Sequence, residues 1–297
     1  MKTIRCGEPT VVITKNEDES QAVVQGLEVL GILKKITKED VVVITPNWVH
    51  QGKPEYGIVV GPETLRILIK MVKSRQPKRL VIATAPADPD FQDVMKLAGF
   101  DKVIEEEQVE LINLNMPPFV RVNLNHTGPV YTHLNQLFEE MTFLISFTQL
   151  KIHEEATMSG AIKNIAMGWP SAEEHGYPKK NRGIHNDLHG FIVAMLEKLP
   201  IDLSIVSASP AMVGTGPNNG VASHTGLVLC GTDPVATDTI GARLLGFKPQ
   251  AIHYLYEAGK KGLGCNDYNT IKVKGMNMEE AEMHFSKCVY GQSFKLQ

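Results

Sequence analysis

The stretch DVVVITPN, residues 40–47, decides the fold. Val41 to Ile44 form an apolar run without the polar–apolar alternation of a half-solvated strand, and Pro46 stops it. An unbroken run of this length bounded by a turn residue describes a strand buried on both faces, which belongs in a parallel sheet covered by helices on either side. The neighbours agree. TVVIT (10–14) reads as a strand, and SQAVVQGLEVLGILKKI (20–36) has helical spacing with basic residues at its end, favourable to the helix dipole. GPETLRILIKMVKS (61–74) predicts a helix with Pro62 in its first turn. Strand KRLVIATA (78–85) and helix DFQDVMKLAGF (90–100) follow, the latter with Gly99 placed for a left-handed cap.

Farther along, MTFLISFTQL (141–150), DLSIVSAS (202–209), GLVLCG (226–231) and TIKVKG (270–275) read as strands, the last closing the ordered part. HNDLHGFIVAMLEKL (185–199), DPVATDTIGARLLG (233–246) and PQAIHYLYEAGKKG (249–262) read as helices. VELINLN (109–115) and FVRVNLN (119–125), joined by Met116-Pro117-Pro118, are expected to pair as a hairpin or to add at a sheet edge. The predicted class is α/β, a mostly parallel sheet with helices on both faces. It is either one unit over residues 1–297 or two intimately joined lobes.

Composition narrows the function classes. With 43% hydrophobic and 21% charged residues among 297, the chain has the balance of a globular protein. A formal charge of -3 supplies no basic footprint for nucleic acid. No apolar run approaches the roughly 18 residues of a membrane helix, and the first residues lack the apolar core of a secretory signal. The expectation is a cytoplasmic protein with no nucleic-acid or membrane partner. Cys6, Cys230, Cys265 and Cys288 lie too far apart for a CxxC pair. Buried thiols are expected, with Cys265 the most accessible.

In open α/β sheets, ligands bind beyond the carboxyl ends of the strands. Asn47, Trp48 and His50 follow the first buried run, and Lys151 and His153 follow TFLISFTQL. The loop GTGPNNG (214–220), with Gly214, Gly216 and Asn218, follows LSIVSAS, while Thr232 and Asp233 follow GLVLC. If these strands are parallel, all four sets share one edge. Ser159 is placed to cap a helix that brings Lys163 and Asn164 back to the same edge, and helix N-termini favour anions. The glycine loop has neither a P-loop ending nor the GxGxxG spacing, which leaves a plain connection or a backbone nest for an oxyanion. His185 and His189 stand four residues apart and, with His153, form a candidate set for a divalent metal. The Glu of HExxH is missing, and acid/base or hydrogen-bonding roles stay open for these histidines.

TPNWV (45–49), LKIHEEATMSGAIKN (150–164), GTGPNNG (214–220) and GTDPVATDTIGARLLG (231–246) occur in this order. Together they resemble the prokaryotic family catalogued as domain of unknown function 362, over roughly residues 40–247. The resemblance implies weight for Asn47, Lys151, His153, Lys163, Asn164, Asp233 and Asp238. Many members carry an appended ferredoxin-type cysteine module and an iron–sulfur label. Here Cys265 and Cys288 alone follow Gly246, so no ferredoxin module and no iron–sulfur cluster are expected from this chain by itself.

Three readings stand. In the first, an enzyme binds a small anionic metabolite: Lys151 and Lys163 neutralise it, His153 is the acid/base, and Asn47, Asn164, His185, Asp233 and the 214–220 backbone position it. In the second, a metal-binding or redox/maturation partner protein uses His153, His185 and His189. In the third, the protein binds without catalysing. A second copy of the chain or a redox partner protein is the expected protein partner.

Overall fold

The run at residues 41–44 lies in the middle of one large sheet, buried at every position. The computed structural model describes residues 8–296, so Cys6 lies outside the described residues. In chain order the strands are β1 (Thr10–Lys15), β2 (Val41–Pro46), β3 (Arg79–Thr84), β4 (Glu110–Asn113), β5 (Phe119–Asn123), β6 (Tyr131–Asn135), β7 (Phe143–His153), β8 (Thr157–Ser159), β9 (Leu203–Val213), β10 (Val221–Ser223), β11 (Leu227–Gly231) and β12 (Lys272–Gly275). The helices are α1 (Glu19–Leu30), α2 (Pro62–Lys73), α3 (Phe91–Leu97), α4 (Phe100–Glu106), α5 (Leu137–Glu140), α6 (Ala161–Gly168), α7 (Ala172–His175), α8 (Leu188–Lys198), α9 (Pro234–Leu244), α10 (His253–Lys260) and α11 (Met278–Tyr290).

The main sheet has the order β12-β1-β11-β9-β7-β2-β3-β4. From β9 to β4 neighbouring strands are parallel, as expected for strands buried on both faces. Helices α1 to α4 cover one face, where Leu27, Leu65, Ile69 and Phe100 pack on Val42, Ile44 and Ile145. Residues of α6, α8, α9, α10 and α11 cover the other, with Ile162, Phe191, Ile240 and Phe285 in its core. Among the described residues no helix is long and apolar enough to cross a membrane.

Three expectations need correction. VELINLN and FVRVNLN do not form a hairpin; the alternative, addition at a sheet edge, holds for VELINLN, since β4 adds in parallel to β3 at the end of the sheet, while β5 pairs with β6 in a separate two-stranded sheet. The two prolines between them supply neither an N–H nor the positive φ of a tight hairpin turn. β11 runs antiparallel to β9 and to β1. Only residues 214–226 separate β9 from β11 and they hold no helix, too little for a crossover back to the same edge. Finally, order continues past residue 275 into α11, started by the Asn277 side chain and stopped by Gly291 at φ 74.

The start of α6 depends on a residue far away in the chain. Ser159 does not cap it, because Ser159 belongs to β8. The cap is Asp238, buried in α9, whose carboxylate accepts the N–H groups of Ala161 at 2.7 Å and Ile162 at 3.1 Å. Burial pushes Asp238 up to about 7, against the opposing pull of these two donors. A Cβ at Gly160 would lie 2.3 Å from Asp238 Oδ1, so the glycine is what lets the carboxylate approach.

Asp238→Ala leaves two buried N–H groups without acceptors and should cost about 2–4 kcal/mol in chemical denaturation. Gly160→Ala should also destabilise, but by less when introduced into the Asp238→Ala background, where the clash is gone. Additive costs for the pair would contradict this contact.

Candidate functional site

Beyond the carboxyl ends of β2, β3 and β7 lies a cavity of about 410 Å³. β7 does not stop at Leu150. It runs on to His153 and folds back as β8, so that Lys151 pairs with Ser159 and His153 with Thr157. Lys151 also faces Met212 of β9, where the register shifts. Lys151 and His153 are therefore strand residues, and the expected loop position is corrected.

Lys151 is 2% exposed and has no carboxylate partner among the described residues. Its Nζ donates to Asn47 Oδ1 at 2.7 Å and to the Ile58 carbonyl at 2.6 Å. Burial, with the nearby charge of Lys163, lowers it to about 7. A second lysine, Lys179, repeats the arrangement: buried, it donates to the carbonyls of Ala85 at 2.6 Å and Met167 at 2.7 Å. Burial lowers it to about 7 as well. Lys163, on the first turn of α6, is partly exposed and makes no hydrogen bond to any described residue. Burial lowers it to about 8, and the carboxylate of Glu155 opposes that shift.

The turn between β7 and β8 fixes the state of His153. Its Nδ1 accepts the N–H groups of Glu155 at 3.1 Å and Ala156 at 3.2 Å, which leaves the proton on Nε2. Burial and the charges of Lys163 and Lys151 depress its basicity to about 2. His153 is thus a neutral hydrogen-bond donor at physiological pH. The acid/base role expected from an unperturbed imidazole does not suit this environment. His185 lies beside Glu155, Nδ1 to Oε2 2.5 Å, and Glu155 also meets Lys180 at 3.3 Å. Burial works to raise Glu155, but its contacts with His185 and Lys180 hold it below its ordinary value. His50 is lowered by burial, an effect that Asp88 opposes and the two lysines reinforce.

Asn47, Lys151, His153, Lys163, Asn164, His185 and Asn218 all line the cavity. Asn164 also ties the site together, donating to the Thr45 carbonyl and to Ser146 Oγ. Gly214 and Gly216 do not line it. Gly216 serves close packing instead: a Cβ there would lie 2.0 Å from the Ile152 carbonyl, and its own carbonyl accepts Glu154 N–H. Asp233 is at the opposite edge, because β11 is antiparallel; it caps α9 and accepts Cys265 N–H. His189 is outside the cavity lining, its Nδ1 accepting the Tyr254 N–H at 3.2 Å. The set His153, His185 and His189 does not assemble as a metal site. Among the described residues no group of three or more His, Cys, Asp or Glu is placed to hold a metal ion.

Lys179, Lys180 and Glu155 were not found by reading the sequence. YPKKNRG looks like ordinary surface charge, and nothing local distinguishes the buried Lys179 from the exposed Lys180. A signal exists only in three dimensions, in the two carbonyls that Lys179 satisfies.

The lysines impose a pH signature of definite sign. Unfolded, each titrates near 10.5; folded, Lys151 and Lys179 titrate at about 7 and Lys163 at about 8. From about pH 7 to 10 the unfolded chain binds more protons than the folded one, so the contribution of these groups to stability rises with pH. Melting temperatures of ligand-free protein should show this rise, and the K151M/K179M double variant should flatten it. Equal slopes in the two proteins would refute the assignment of depressed lysines.

The Thylakoid-associated protein sll1697 of Synechocystis sp. (strain ATCC 27184 / PCC 6803 / Kazusa) is 22% identical over 243 residues, covering 81% of this chain and 73% of that protein. Among solved structures, the lactate racemase apoprotein from Thermoanaerobacterium thermosaccharolyticum matches with a TM-score of 0.40 and 20% identity, over 72% of this chain. The match spans 54%, about half, of that chain. The model of the family described as Domain of unknown function (DUF362) matches residues 42–243, which takes in β2, the β7–β8 hairpin, α6 and Asp238, and the chain belongs to that family.

Proposed function

We propose that this protein is an enzyme acting on a small, doubly negative metabolite held in the cavity at the carboxyl edge of the sheet. The observation that carries this reading is the charge imbalance of the cavity wall. Lys151, Lys163, Lys179 and Lys180 line it against Glu154 and Glu155, and Glu155 is already engaged by His185 and Lys180. Buried ammonium groups satisfied by carbonyls alone remain costly, and an anion among them would supply the missing countercharge.

The residues divide the work by their surroundings. Lys151 and Lys179 are fixed by two acceptors each and orient positive charge without moving. His153 offers Nε2–H as a neutral donor to a ligand oxygen. Proton transfer falls to lysine, since an amine that titrates near neutrality exchanges protons at physiological pH. Asn47 and Asn164 hold the frame. The metal-centred reading gains no support from this arrangement of donors.

Isothermal calorimetry with phosphate, succinate and 2-oxoglutarate tests the reading. At least one should bind, and Lys179→Met or Lys163→Met should weaken it about tenfold or more, the loss of one buried charge contact. An anion raises the lysines back toward their ordinary values, so binding at pH 8 should take up protons. The measured heat should then vary with the ionisation enthalpy of the buffer. Absence of binding for every probe at millimolar concentration, or a heat independent of buffer, would overturn it.

A further inference from the structure

The three cavity lysines are not equivalent. Lys151 and Lys179 each give two of their three N–H groups to acceptors 2.6–2.7 Å away, which fixes the amine in place and leaves one N–H for an anion. Lys163 differs in partners, in position and in access. Its side chain makes no hydrogen bond or ion pair with any described residue, and it is partly exposed on the cavity wall. Its mount is rigid: α6 is fixed at its start by Asp238 and tied to β2 and β7 through Asn164. One turn further along the helix, Met167 contributes an apolar part of the cavity lining, to which Trp48 and Ala85 also belong.

We infer that Lys163 is a covalent amine nucleophile, which condenses with the ketone or aldehyde carbonyl of a dianionic substrate to form an imine. This rests on the anion-binding reading above and specifies what the bound anion must carry. The neutral Lys163 amine attacks the carbonyl carbon; the N–C bond forms as the C=O π pair moves to oxygen. Oxygen takes a proton and nitrogen loses one, giving the carbinolamine. The nitrogen lone pair then expels that oxygen, which leaves as water with one further proton, and the protonated imine remains. Amine, carbonyl compound and one proton thus give the protonated imine and one water, with no change of oxidation state.

The neighbours suit each stage. Lys163 titrates at about 8, so an appreciable neutral fraction exists near pH 7.5. His153 Nε2–H is available to the carbonyl oxygen as negative charge develops there. Glu155, whose carboxylate influences Lys163, is the nearby group able to relay the protons. The charges of Lys151 and Lys179 hold the anionic parts of the substrate, and the apolar wall disfavours the water that would hydrolyse the imine.

Incubation of the full chain with 2-oxoglutarate or dihydroxyacetone phosphate, followed by sodium cyanoborohydride, reads this directly. The expected result is a single reduced adduct by intact mass, mapped to the peptide containing Lys163 and absent from Lys163→Arg, which keeps the charge. Succinate, which has no ketone, should protect Lys163 from labelling and give no adduct itself. Calorimetry with succinate separates the two ideas. If succinate binds but neither carbonyl probe labels Lys163, or if label spreads over surface lysines and survives in Lys163→Arg, the imine inference fails and the anion site stands. If no probe binds at all, both fail together.

Discussion

The eight-residue helix α6 is held at both ends by opposite charges that arrive from distant parts of the chain. Asp238 accepts the first N–H groups, and the Lys179 ammonium takes the Met167 carbonyl near the last turn. Both match the helix dipole, negative at the amino end and positive at the carboxyl end, and both satisfy groups that a helix cannot satisfy itself. A helix this short has little intrinsic stability. Its place is set by these tertiary contacts and by Asn164, which reaches the Thr45 carbonyl and Ser146 Oγ. Trp169 Nε1–H closes the far end on Thr45 Oγ1. Everything that faces the cavity from α6, Lys163 above all, depends on this anchoring.

A related constraint governs β7. It is buried along nearly its whole length, so polar side chains on it need partners inside the protein, and among the described residues all but Gln149, whose amide has none, find them. Ser146 donates to the Ala161 carbonyl, Lys151 to Asn47 and Ile58, and His153 accepts from the turn that follows it. These solutions use backbone groups and amides in place of charged partners. They hold the ammonium groups in position without neutralising them, and a site with surplus positive charge is the outcome.

The position of the site follows from the topology. β2, β3, β7 and β9 point the same way, so their carboxyl ends and the segments that follow them meet along one edge. The β7–β8 hairpin extends past the sheet and forms one wall, with Asn218 and Pro217 of the 214–220 loop beside it. The glycine of that loop that matters most, Gly216, is there because the Ile152 carbonyl leaves no space for a side chain.

The sequence by itself determined the α/β class, because apolar runs without alternation can be buried only between two helical layers. It also brought Asn47, Lys151, His153, Lys163 and Asn164 into view, as polar residues that follow or closely trail such runs. Proline and Asp–Pro punctuation placed the starts of α2 and α9 where they are observed. Strand direction was less legible. The helix-free connection of residues 214–226 contained the sign that β11 reverses, and Asp233 goes to the far edge with it. Only the tertiary structure decided that Lys179 is buried while Lys180 is exposed, that Asp238 and not Ser159 starts α6, and that His189 turns to Tyr254. Each of these is a choice of partner across a large sequence separation. Local pattern carries no information about such choices, because the energy that makes them is that of satisfying a buried charge or a buried N–H wherever the fold supplies a match.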